Sequence, residues 1–410
     1  MKKIFLSICL ILVNITLLNA QKTTWESPYI GSSKEVLYLP DANAVYWRYG
    51  WERTENDKNG YVIKGKFPDA RYFSYNIYDD VTKSSMGSLT DFNIKADDSK
   101  NNYTLYIVPE GTVINEKNVL FFKNDLPKVS VILRHYLPNK NIYGNVLMPK
   151  IDLFDTTKKT TKEAPKSVAV PKFSKEDVEK YLVPMFQKFM ENPQENLHKL
   201  QSQSKGKPIN IEELICKQLV SNVFNFYKKN NVIYSFNLNS DGTYPNNDNH
   251  YLTMPIVRSN HDDVCVVKFR APNYAHSSKD FPISDVRYFS ISQGDELTYN
   301  YNTIADYQFK VNSDGFIYIV IANESEQLKT KAKTLGMNFM PWVVNEKMLL
   351  IYRNMLPNPN YKKATNSVPK LDKSKPIKEQ TATNFIGNFA PIGFFFTMDS
   401  FLNSKTIPAF

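Results

Sequence analysis

The stretch Tyr244-Pro245-Asn246-Asn247-Asp248-Asn249-His250-Tyr251-Leu252 is denser in functional groups than any other part of this 410-residue sequence. It sets a carboxylate, an imidazole and several amides just before a predicted strand. Asp248 with His250 has the pattern of an acid–base pair, because imidazole titrates near neutrality. Arg258 or Arg353 would complete such a site in a hydrolase or lyase acting on a carbohydrate. Asn, Asp and Pro also favour tight loops, and turn chemistry is the plainer reading of the same residues.

Two Asp-x-Arg pairs come next, Asp69 with Arg71 and Asp285 with Arg287. On a strand, residues i and i+2 share a face, so each pair would hold a carboxylate beside a guanidinium. An arginine fork placed in this way suits an anionic or sugar ligand. It equally suits an ion pair bracing a sheet against a loop. Appearance at two places favours the brace, since a single site needs only one copy. Arg134 and Arg353 carry the same two readings, with Asp91 and Asp306 as their candidate partners.

Metal signals are thin. Asn237-x-Asn239-x-Asp241-Gly242, with Asp248 further on, imitates a calcium loop, but Asn replaces the leading acid and Asp the bidentate Glu. His261-Asp262-Asp263 lacks a second histidine at a helpful spacing and reads as an exposed hairpin turn. Gly-x-Ser-x-Gly, Gly-x-Gly-x-x-Gly and Gly-Lys-Ser/Thr are all missing from the sequence. No metal and no cofactor is expected.

The elements that must position these residues repeat. Asp69-Ala70-Arg71-Tyr72-Phe73-Ser74 returns as Asp285-Val286-Arg287-Tyr288-Phe289-Ser290. Tyr61 to Pro68 pairs with Cys265 to Pro272, Leu89 to Lys95 with Ile304 to Lys310, Tyr103 to Val108 with Gly315 to Val320, and Ile132 to Pro138 with Ile351 to Pro357. Five blocks in one order at a near-constant offset make an internal duplication. Each block is rich in Tyr, Phe, Ile and Val with polar residues interleaved, as in a half-buried strand. Turn-forming runs such as Asn312-Ser313-Asp314-Gly315 separate them. Each copy therefore predicts an antiparallel β-sandwich of jelly-roll type.

Between the copies the composition changes. Residues 156–170 are mostly Lys, Thr, Pro and Ala and read as a solvated linker. Ser174 then resembles an N-cap, and apolar residues at helical spacing from Val178 to Phe189 and from Ile211 to Tyr227 predict a helical insert.

Net charge is +10, from 51 Lys+Arg against 41 Asp+Glu. Residues 156–182 hold seven Lys and four acids, and residues 362–386 hold six Lys and two acids. The excess thus falls in a linker and a tail rather than on one aromatic-rich face, so no nucleic-acid partner is expected. At the N-terminus, Lys2 and Lys3 precede the apolar run Ile4 to Leu18, which ends at Asn19-Ala20. This is the pattern of a cleaved secretory signal, with no membrane span remaining after cleavage and a periplasmic or secreted destination. Phe394-Phe395-Phe396 is too short to span a membrane and reads as packing on a core. Cys216 and Cys265 would remain, either as one bridge or as two buried thiols.

The second repeat resembles a bacterial domain of unknown function, number 1214, which often occurs with its neighbour, number 1254. The resemblance rests on Asp285 to Ser290, Val311 to Ile319, Asn338-Phe339-Met340-Pro341-Trp342, and Leu350 to Pro357. Phe339 stands where that pattern has Trp, and Met355 where it has Tyr. The resemblance implies a β-sandwich in an exported bacterial protein and supplies no activity.

The expected organisation is a signal peptide over 1–20, a first sandwich over 21–155, a linker and helical insert over 156–235, a second sandwich over 236–361, and a Lys-rich linker and C-terminal segment over 362–410. The expected role is non-enzymatic binding of a small molecule or glycan in a groove between the repeats, closed by the insert. Asp248, His250, Arg258, Asp285, Arg287, Arg353 and Trp342 are the candidate contacts. A carbohydrate-active enzyme and a structural envelope protein are the alternatives.

Overall fold

The computed structural model describes residues 24–31, 40–54, 57–169, 232–237, 244–258, 260, 263–276, 280–294, 300–344, 347–372 and 374–408. The signal segment, the helical insert, Cys216, and most of the calcium-like and His261 motifs lie outside these residues.

The first repeat contains β1 (Tyr29–Ile30), β2 (Ala44–Glu52), β3 (Asn59–Lys66), β4 (Ala70–Asp79), β5 (Ser85–Thr90), β6 (Asn102–Pro109), β7 (Val119–Phe122), β8 (Lys128–Pro138), β9 (Lys150–Asp155) and β10 (Thr160–Glu163). They form two sheets, β1-β2-β8-β4-β5 and β10-β9-β3-β6-β7. The second repeat contains β11 (Val232–Tyr234), β12 (Asn249–Val257), β13 (Asp263–Arg270), β14 (Tyr288–Gly294), β15 (Asn300–Ala305), β16 (Phe316–Ala322), α1 (Glu326–Thr334), β17 (Asn338–Pro341), β18 (Lys347–Met355), α2 (Thr383–Ile386), β19 (Ile392–Thr397) and α3 (Met398–Asn403). Its sheets are β12-β18-β14-β15 and β11-β19-β13-β16-β17.

Apart from the edge strands β1, β10 and β11, the strand orders of the two copies match, so the duplicated blocks build the same mainly antiparallel sandwich twice. One departure from the expected pattern is shared: β6 pairs with β7, and β16 with β17, in parallel. Alternation along each strand explains the layering. Tyr61, Ile63, Leu105 and Ile107 point inward against Tyr49, Tyr75, Val131 and Leu133 to form the first core. Val267, Phe269, Ile317 and Ile319 do the same against Leu252, Phe289, Ile291 and Leu350 in the second.

Two expected boundaries move. Residues 362–410 are not a separate tail, because β19 lies between β11 and β13 in the heart of a sheet. Its alternation sends Phe395 to the inner core and Phe396 to the outer face under α1 and α3. Residues 156–169 are not a free linker either. β10 extends the sheet as an exposed hairpin with β9. The chain then returns over the first sandwich, where Tyr49 Oη donates to Pro165 O at 3.1 Å and Val168 N to Gly50 O at 2.8 Å. Lysines mark solvated faces in both segments, but β10 and β19 beneath them are paired into the sheets.

The two sandwiches meet through the outer faces of their β2-β8-β4 and β18-β14 layers. Ala44, Tyr72, Tyr136, Tyr288, Ala305 and Met355 form a small apolar cluster across this seam. Tyr136 sits between Tyr72 and Tyr288, with ring centroids 5.6 Å and 5.5 Å away in edge-to-face contact, the arrangement aromatic quadrupoles favour.

Candidate functional site

A shared strand face was expected to set each Asp of the two Asp-x-Arg motifs beside its Arg. The structure puts both motifs at the seam, and in neither do the two members pair with each other: Asp69 precedes β4, and Asp285 and Arg287 both precede β14. Asp69 accepts from Asn139 Nδ2 at 2.9 Å, and Asp285 accepts from the Asn273 amide at 2.8 Å. Each arginine instead crosses to the other repeat. Arg71 Nη1 lies 2.5 Å from Asp306 Oδ1, and Arg287 Nη2 lies 2.7 Å from Asp91 Oδ2. Arg287 also donates from Nε to the Arg71 carbonyl at 2.9 Å. Asp91 and Asp306 are therefore the partners of Arg287 and Arg71, and not, as expected, of Arg134 and Arg353.

Arg353 pairs with Asp41, whose carboxylate also accepts from Tyr288 Oη at 2.9 Å and Ser290 Oγ at 2.8 Å. Arg134, at the matching point of β8, reaches Asn76 Oδ1 at 2.7 Å and the Tyr244 carbonyl at 2.9 Å. Among the described residues no carboxylate lies within ion-pair distance of it. The register explains the difference. Ala44 lies opposite Tyr136 as Asn249 lies opposite Met355, so Asp41 corresponds to Asn246 and Asn43 to Asp248. Acid and amide have changed places between the copies. Tyr72 Oη accordingly donates to Asp248 Oδ2 at 2.5 Å, while Tyr288 donates to Asp41.

Electrostatics follow from this burial. Burial raises Asp91 to about 6, against the pull of Arg287. Burial likewise raises Asp306 against Arg71, and Asp248 against Tyr72 and Arg134. Burial works upward on Asp41 too, but Arg353, the Asn43 amide and Ser290 outweigh it and leave that carboxyl below its ordinary value.

Apart from Asp285, which caps the Asn273 amide, the sequence candidates thus fall into three groups. Asp248, Arg287 and Arg353 join the seam and hold it shut, which fills the groove expected between the repeats. His250 is half-buried on β12, and burial lowers its pKa. No hydrogen bond or ion pair joins it to Asp248, so the expected acid–base pair is not formed. Arg258 and Trp342 meet elsewhere, the guanidinium 4.7 Å from the indole centroid with Asn323 Oδ1 at 2.8 Å. Cys265 is a free thiol buried in the second core, and burial raises its pKa. Among the described residues no group of three His, Cys, Asp or Glu is placed to hold a metal, and no helix is long and apolar enough to cross a membrane.

What remains open to solvent is the rim of the seam. At one end Arg71 lies 5.5 Å from the Tyr274 ring and 5.8 Å from the Tyr307 ring. His276 stands beside Tyr274 with centroids 4.6 Å apart, and Tyr307 is 49% exposed. Tyr307 Oη donates to Asn43 Oδ1 at 3.3 Å, tying the platform to the first repeat. The corresponding end is apolar: Phe92 packs on Phe281 at 5.5 Å, and Arg287 lies 5.6 Å from the Phe281 ring. Sequence reasoning missed this platform. Its one visible signal was the change from Asp91-Phe92 to Asp306-Tyr307 between otherwise similar blocks.

No family model matches the chain, and no curated protein matches it. Its structure is similar to that of an uncharacterized protein from Burkholderia cenocepacia, at 9% sequence identity and a TM-score of 0.51, over 92% of this chain and 83% of that one. That likeness shows the fold alone. The VPA0106 protein from Vibrio parahaemolyticus is a more distant structural neighbour, at 15% identity and a TM-score of 0.39, over 77% of this chain and 85% of that one.

Proposed function

We propose that the chain is a non-enzymatic bacterial binding protein, exported as its resemblance to domain 1214 implies, and acting in the periplasm or outside the cell. Its ligand is a small molecule or glycan, held at the tyrosine-lined rim of the seam. The observation that carries this reading is the gathering of Tyr274, His276 and Tyr307 around Arg71 on an exposed edge. Flat rings with polar tips suit the C–H faces and hydroxyls of a sugar. The surrounding ion pairs fix the platform's geometry, which lowers the ordering cost of binding. A thermal-shift screen of neutral glycans and metabolites tests it. A ligand that raises the unfolding temperature of the natural protein, but not of Tyr274→Ala/Tyr307→Ala, supports the rim. A shift that persists in the double variant removes it.

A further inference from the structure

Both peripheral sheets carry a basic pair on the outer face, Lys64 and Lys66 on β3 and, at the matching positions, Lys268 and Arg270 on β13. In the second repeat, α1 and α3 lie over Val264, Val266, Tyr318 and Val320 of that face. In the first, Lys64 and Lys66 are exposed, and β9 adds exposed Lys150 where the second repeat has Ile392. Strand alternation puts Lys64 and Lys66 on one side of the sheet. The antiparallel register sets Lys64 directly beside Lys150. Like charges directly opposite on neighbouring strands repel. Lys150 has Asp152 at 2.8 Å, but among the described residues Lys64 and Lys66 have no carboxylate within ion-pair distance.

These three cations line a groove of about 610 Å³. Gly65 lies between the two lysines in the lining, and a Cβ there would point away from them, to within 2.5 Å of the core residue Tyr103. Asn102 and Asn145 bring amides to the wall, and Leu147, 71% exposed, brings an apolar surface. Tyr103, the one ring in the lining, is buried. The groove therefore offers no exposed face on which a nucleobase would stack. Its size also exceeds what a single inorganic anion fills.

We propose that this groove binds an acidic oligosaccharide, with its carboxylates or sulfates against Lys64, Lys66 and Lys150 and its hydroxyls against the amides. The one acid in the lining, Asp97, already accepts from Thr104 Oγ1 at 2.7 Å and opposes such a ligand. The groove is lined by residues of the first repeat and shares none with the tyrosine-lined rim, so the two sites stand or fall separately.

Calorimetric titration of the full chain with hexagalacturonate tests the proposal, with maltohexaose, inorganic phosphate and single-stranded DNA as comparators. Hexagalacturonate binds, and its affinity falls as salt is raised. Lys64→Gln/Lys66→Gln weakens it about tenfold or more, as expected for lost charge-assisted hydrogen bonds. Asp97→Asn strengthens it, and neither variant lowers the unfolding temperature, because all three positions are exposed. The proposal is overturned if hexagalacturonate does not bind, if the lysine variant binds it unchanged, or if maltohexaose, phosphate or DNA binds as tightly.

Discussion

Arg71 and Asp306 lie 2.5 Å apart across the seam, although 235 residues separate them in the chain. The relationship is reciprocal, since Arg287 of the second repeat reaches Asp91 of the first at 2.7 Å. Duplication produced one arginine and one aspartate per copy, and a pseudo-twofold arrangement lets each arginine find the other copy's acid. The two ion pairs bridge the sandwiches, and Arg71 carries one of them to the rings of the rim.

Breaking one reciprocal pair should cost far more than breaking a surface pair. Arg287 and Asp91 side chains are 1% and 12% exposed. Arg287→Ala leaves the Asp91 carboxylate buried without its cation, and losses of about 3–5 kcal/mol are typical of that situation. Urea unfolding should show this loss, whereas Lys128→Ala, which breaks the exposed pair with Glu52, should change stability by under about 1 kcal/mol.

Asp41 is the acid on which Arg353 depends, and both are buried. Asp41→Asn should destabilise by about 3–5 kcal/mol, because it removes the carboxylate that faces a buried guanidinium. Calorimetric unfolding at neutral pH checks this. A midpoint unchanged by Asp41→Asn would show that the pair contributes nothing to the seam.

Stability should depend on pH through the buried acids in opposite senses. Asp91 is raised to about 6 in the folded chain. Between the unfolded carboxylate value and about pH 6 the folded state therefore binds the proton more tightly, and stability declines as pH rises through that window. Asp41 is lowered, so its contribution is present at neutral pH and is lost as pH falls through its folded value. Asp91→Asn should flatten the decline between about pH 4 and 6, read from unfolding midpoints across that range. An unchanged slope would contradict the assignment.

Truncation after Tyr361 should abolish folding of the second repeat. It deletes β19, which hydrogen-bonds both β11 and β13, and removes α3 from the outer face of that sheet. Circular dichroism and solubility of the shortened chain check this, and a well-folded product would contradict the account.

The duplication was legible because strand spacing, turn residues and the Arg-Tyr-Phe-Ser block survive in both copies. Strand positions of Arg134 and Arg353 followed from the same periodicity, whereas His250 lies on β12 rather than before it. The pairing of charges was not legible. Asp69 and Arg71 look like partners at i and i+2, and only the packing of one repeat on the other shows that each arginine is used across the seam. Residues 362–410 misled through their lysines, which outnumber the few apolar side chains that make β19 central. Phe394-Phe395-Phe396 was the true signal there, and it does pack on a core.

The most direct measurement is calorimetric titration of a neutral oligosaccharide into the natural protein, into Tyr307→Ala, and into Phe92→Ala at the corresponding position of the other rim. The natural protein should bind, Tyr307→Ala should lose about tenfold or more as a stacking face is removed, and Phe92→Ala should bind unchanged. No binding by the natural protein to any such ligand, or equal affinity in Tyr307→Ala, would contradict the rim as the binding site.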